Sequence, residues 1–119
     1  MKTNSDFEQS KMLAEFLPVE SADLMFVHTT DLEGNEHYDI DFRNNQPLFE
    51  GDIPCWSLAA LLDIIPMVCL DNFFDDTTKS KKWNCLFTET HHPLEAAYYD
   101  NPVDACVNMI FRLKKHNLI

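Results

Sequence analysis

Cysteine with histidine is the first combination in this sequence whose types could do chemistry. Cys85 or Cys55 could serve as a nucleophile if the fold brought either thiol to His28, His37 or His91, the imidazole taking the thiol proton. A reactive thiol needs an electropositive, partly exposed setting, whereas these two lie in apolar runs beside acidic segments, so the expected state is a buried structural thiol. A metal site is the second. Its candidate ligands are Cys85, His91 and His92, with Glu89 and Glu95 alongside. Zinc favours spacings such as C-x-x-C or H-x-x-x-H, which turn both ligands to one ion. Adjacent histidines on a strand point opposite ways, and the expectation is two surface histidines in a loop. Paired carboxylates are the third: Asp39 with Asp41, or Asp71, Asp75 and Asp76. Two carboxylates separate their pKa values only when close and desolvated, and these read as the wet side of a half-buried strand. Trp56 and Trp83 could line a pocket or anchor a core. No catalytic residue and no cofactor is implied, and two glycines, Gly34 and Gly51, cannot build a phosphate-cradling loop.

The elements that must position these residues come next. Ser5-Asp6-Phe7-Glu8 fits a capping box and predicts a helix to about Phe16, stopped by Pro18. Leu24 to His28 is a short apolar run. After the turn residues Asp31 to Asn35, His37 to Arg43 alternates, with Tyr38, Ile40 and Phe42 on one face and Asp39, Asp41 and Arg43 on the other. A hairpin follows. Ile53 to Pro66 reads as a central core helix, with Pro54 in its first turn, Ser57 as a rival N-cap, and Leu58, Leu61, Leu62 and Ile65 at helical spacing. Met67 to Leu70, extending to Phe73-Phe74, and Trp83 to Thr88 predict a second hairpin across a polar loop. Thr90 to Tyr99 reads as an irregular connection with a helical turn at 93–97. Asn101 as N-cap, Pro102 behind it and Asp104 in the first turn open a last helix. Its stripe is Val103, Cys106, Val107, Ile110, Phe111 and Leu113.

These pieces imply an α+β fold: a single domain over 1–119, with residues 1–5 a candidate disordered segment. Two hairpins make an antiparallel sheet of about four strands, with about three helices packed mainly on one face. A sheet covered on both faces is the alternative. At 119 residues one core should bury roughly 65% of the unfolded surface without a metal or disulfide.

The net charge of −11 argues against nucleic-acid binding through a basic face, which draws its affinity from Lys and Arg on phosphates. Residues 1–78 carry three basic side chains against sixteen acidic, and residues 79–119 carry six against four. An acidic surface of this kind can attract a basic protein partner or keep a chain soluble. Four cysteines without a C-x-x-C pair predict reduced, buried thiols in the cytoplasm. No signal peptide or apolar run long enough to span a membrane is evident in the sequence.

Pro54-Cys55-Trp56-Ser57-Leu58 running on to Leu61-Leu62-Asp63-Ile64-Ile65-Pro66, then Trp83, then Asn101 to Cys106, Met109-Ile110 and Leu118-Ile119, resembles a group of small uncharacterised proteins. These are found in phage, prophage and conjugative-element regions of gut bacteria. The resemblance covers roughly residues 50–119 and rests on cap and core positions, so it implies a genomic setting and carries over no active site. The functional expectation is a non-enzymatic accessory protein of a mobile element, acting by protein-protein interaction through an acidic surface on an unidentified partner. A small-molecule or metal-binding domain is the alternative, and a small enzyme the third. Homodimerisation through an open sheet edge is a further expectation.

Overall fold

The alternation after Gly34 produces the hairpin it implies in the computed structural model, which describes residues 1–88 and 94–119. Strand β1 (Leu24–Thr30) pairs antiparallel with β2 (Glu36–Phe42), Leu24 facing Phe42 and His28 facing Tyr38. The turn between them is held by Asp31, whose carboxylate accepts the N–H groups of Glu33 and Asn35 at 2.9 Å each. Gly34 takes the positive φ, +85°, that the turn requires.

On its other side β1 pairs antiparallel with β3 (Ile53–Cys55), giving the order β2-β1-β3. The predicted long helix therefore begins later than Pro54. Pro54 lies in β3, a short strand at the edge of the sheet, where a missing N–H is tolerated. Helix α2 (Leu58–Ile64) starts after Ser57, the rival cap. The Ser57 hydroxyl accepts the Ala60 N–H at 3.2 Å and is itself held by Asp23. Helix α1 (Phe7–Leu13) is likewise capped one residue later than the sequence suggests, by a capping box between Asp6 and Gln9. Ser5 is occupied elsewhere: fully buried, it bonds Ser10 at 2.7 Å and accepts the Trp56 N–H at 3.1 Å.

The second hairpin joins β4 (Val68–Asp75) to β5 (Ser80–Phe87) in a separate two-stranded sheet. The polar loop shrinks to a turn at 76–79 because Ser80 and Asp75 already pair. Residues 94–97 form no helical turn, and Pro93 lies outside the described residues. Helix α3 (Pro102–Lys115) packs on β5 and opens as predicted, with the Asn101 side chain accepting the Asp104 N–H. Val103, Cys106, Ile110 and Leu113 are fully buried; a buried side chain of leucine size contributes about 1.5–3 kcal/mol. This stripe fixes α3 far more than its terminal charges do.

The α+β class is thus the one found, with three α-helices and two antiparallel sheets among the described residues. The two hairpins do not merge into one sheet. The chain divides into two compact units: Asn4–Ala60, with the three-stranded sheet, and Met1–Thr3 with Leu61–Ile119, with the two-stranded sheet and α3. No described helix is long and apolar enough to cross a membrane.

Candidate functional site

Strand β2 is exposed at all seven of its residues. The reason lies in its place and its pairing. It forms one edge of the three-stranded sheet. The Arg43 N–H donates to the Asp23 carbonyl at 3.1 Å, and the Asp31 N–H to the Asn35 carbonyl at 2.9 Å, which sets the phase of the ladder. Bonds in an antiparallel pair alternate. His37, Asp39 and Asp41 therefore direct their backbone groups to β1, and Glu36, Tyr38, Ile40 and Phe42 direct theirs to the open edge.

The apolar face of β2 is only partly covered. The Phe7 ring of α1 sits 4.6 Å from Tyr38 and 5.5 Å from Phe26, and His28 lies 5.1 Å from Tyr38. Beyond that cover, exposure rises along the strand: 40% at Tyr38, 50% at Ile40 and 68% at Phe42. On the polar face Asp39 and Asp41 are wet, as the alternation implies, while Arg43 just beyond the strand is buried. The apolar face was expected to be buried, and it is not.

The acids of β2 also lack cations across the sheet. Asp39 faces Val27, Asp41 faces Met25 and Glu36 faces Thr30. Imidazoles stand beside two of them, His37 at 3.7 Å from Asp39 and His28 at 3.6 Å from Glu36, and carry charge only when protonated. On β4, by contrast, Phe73 faces Lys82 of β5, which places one lysine diagonally across from both Asp71 and Asp75 on the same face of the sheet. The same asymmetry holds at larger scale. The unit containing β2 has twelve acidic and two basic residues, a net −10, while the other has eight and seven, a net −1.

The chemistry-bearing residues named from the sequence do not assemble into a reactive site among the described residues. Cys55 is fully buried, its thiol donating to the Ser5 carbonyl at 3.4 Å and accepting from Asn4 Nδ2 at 3.6 Å. Burial pushes this thiol's pKa up. Cys85 is buried against Cys106, and the hydrogen bond between them lowers the Cys85 pKa and raises that of Cys106. Cys69 departs from expectation: it is exposed, because β4 is the edge of a two-stranded sheet and its two faces are not both covered. His91, His92 and Glu89 lie outside the described residues, so the set with Cys85 does too; no group of three metal-binding side chains occurs among the described ones. Asp39 and Asp41 share a face as predicted and are exposed.

Trp56 and Trp83 separate. Trp56 is fully buried, its indole N–H donating to Ser21 Oγ at 3.0 Å. Trp83 lines a cavity of about 600 Å³ with Lys2, Ser80, Lys81, Asp100 and Asn101. A smaller cavity, about 330 Å³, opens at the Phe42 end of β2 beside Arg43. Arg43 is 6% exposed and is spent on structure, Nε donating to the Ala22 carbonyl and Nη1 to that of Gln46, each at 2.8 Å.

Comparison of the chain with protein-family models, curated proteins and solved structures finds no match.

Proposed function

We propose that this chain is a non-enzymatic interaction protein that docks a basic protein partner on β2. The observation that carries the reading is an edge strand exposed at every residue, with Asp39 and Asp41 on one face and Tyr38, Ile40 and Phe42 on the other, in a unit of net −10. Exposed apolar residues in a row mark interaction surfaces more often than isolated ones do, and unmatched carboxylates attract cationic partners at long range. We place it in the cytoplasm as an accessory protein of a mobile element. Four thiols outside any disulfide support the compartment, and the resemblance over residues 50–119 supports the setting.

The test compares variants. A partner captured by the wild-type chain at low salt should be weakened at high salt and weakened in Asp39→Asn/Asp41→Asn, yet retained in full by Asp75→Asn/Asp76→Asn. Capture that ignores all three changes would refute the reading.

A second reading, small-molecule binding, has its own observation in the Trp83 cavity, where an aromatic side chain and lysines converge. Trp83→Ala should abolish any ligand-induced shift of the Lys81 and Asn101 resonances in a fragment screen. Shifts that persist in this variant, or the lack of any, would remove this alternative.

A further inference from the structure

We infer that the partner segment adds to β2 as a new strand in which basic and apolar residues alternate. This rests on β2 being the docking surface, and it specifies the chemistry of the occupant.

The backbone comes first. Glu36, Tyr38 and Ile40 direct N–H and C=O groups to the open edge, a template that an extended segment completes with main-chain hydrogen bonds. Phe42 does so less, because the Asp41 carboxylate takes its N–H at 2.8 Å.

Side chains then set the sequence of the occupant. In a paired strand, successive residues lie over opposite faces of the sheet. Those beside Tyr38, Ile40 and Phe42 meet an apolar surface that Phe7 covers at the Tyr38 end. Those beside Asp39 and Asp41 meet carboxylates with no cation across the sheet. Opposite charges on neighbouring strands are favourable and like charges are not. A strand alternating Lys or Arg with Val, Ile or Leu satisfies both faces at once.

The same rule disfavours a second copy of this chain. In the full-length antiparallel register, with Glu36 facing Phe42, Asp39 would face its own counterpart, between two units each of net −10. The occupant is a different, cationic segment.

The probe is a peptide as long as β2, blocked at both ends, alternating lysine and valine. Its control has the same composition with lysines and valines in separate blocks. Titration is followed through the amide resonances of the full chain, with hydrogen exchange at Tyr38 and Ile40. The alternating peptide should bind and slow exchange at those two amides at least tenfold, while the block peptide does neither. Asp39→Asn/Asp41→Asn should weaken binding about fivefold, the loss of two cross-strand ion pairs, and Ile40→Lys should abolish it. Equal binding by the block peptide, without slowed exchange, would overturn strand addition and leave acidic docking intact. Binding by neither peptide, while variant-sensitive partner capture persists, would overturn it in the same way. Slow exchange at Tyr38 and Ile40 that appears with rising protein concentration and no peptide would show self-pairing, and would overturn the cationic occupant.

Discussion

The Asp41 carboxylate accepts the backbone N–H of Phe42 at 2.8 Å, and the Asp71 carboxylate accepts that of Asn72 at the same distance. Both donors face open edges. On β4 the phase is set by the Thr88 N–H on the Met67 carbonyl at 2.8 Å, which turns Asn72 outward as Phe42 is turned on β2. Two edge strands thus use one device: an aspartate bends back to occupy the next residue's free donor. Exposed donors invite pairing with other chains, and a charged residue at an edge blunts this. Asp41→Ala/Asp71→Ala should therefore raise concentration-dependent light scattering, while thermal stability changes little, as for most surface changes at roughly 0.5 kcal/mol or less each. Asp41→Asn/Asp71→Asn keeps an acceptor oxygen and should scatter less than the alanine pair. Equal scattering by both pairs would assign the effect to charge alone.

Adjacent proline substitutions test the phase of β2. The Ile40 N–H points to the open edge, so Ile40→Pro removes no ladder bond and should leave a folded chain. The Asp39 N–H pairs with β1 opposite Val27. Asp39→Pro deletes that bond and strands its acceptor, at a cost of about 1–3 kcal/mol. Chemical denaturation should show the larger loss at 39. The reverse order would mean that the strand is shifted by one residue.

How much of this was legible in the sequence depended on whether the decisive partner was local. Asn101, Pro102 and Asp104 announce α3 because cap, first turn and stripe lie within one helix. The hairpin around Gly34 was readable for the same reason. Ser57 was different. Its role as the start of α2 is secured by Asp23, thirty-four residues away, whose carboxylate also accepts the Ser57 N–H at 2.9 Å. Pro54 fits a helix first turn and an edge strand equally well, and only pairing with Met25 decides between them. At the first helix two capping boxes overlap, Ser5 with Glu8 and Asp6 with Gln9, and burial of Ser5 beside Trp56 awards the cap to Asp6. The exposure of Ile40 and Phe42 was hidden because alternation specifies which residues share a face but not whether anything covers it.

The four thiols should differ sharply in reach. Cys69 is exposed, and Cys55, Cys85 and Cys106 are buried. Brief treatment of the native chain with iodoacetamide should add one label, located at Cys69 by mass spectrometry. The others should react only on unfolding. The pKa of Cys85 is lowered, first by its hydrogen bond with Cys106 and further by the Arg112 charge, with desolvation opposing both, but burial still denies this thiol access to reagent. Labelling of Cys85 ahead of Cys69 would show that the contact between β5 and α3 opens readily.

Asp31 should respond to acid in one direction. Its pKa is depressed below the ordinary 3.8, chiefly by the Asn35 N–H, with the Asn35 side chain and the Glu33 and Gly34 N–H groups adding to this and desolvation opposing it. A carboxylate with a depressed folded-state pKa stabilises the fold fully above the unfolded value and loses that contribution as pH falls through the folded value. The turn between β1 and β2 should therefore hold through pH 3.8 and loosen below it. Carboxyl-carbon titration by NMR should place the Asp31 midpoint under 3.8, with amide exchange at Asn35, corrected for its intrinsic pH dependence, accelerating over the same interval. Asp31→Ala should remove that acceleration, because no carboxylate is left to protonate. A midpoint at or above 3.8 would mean that the Asn35 and Glu33 N–H groups do not converge on Asp31 in solution.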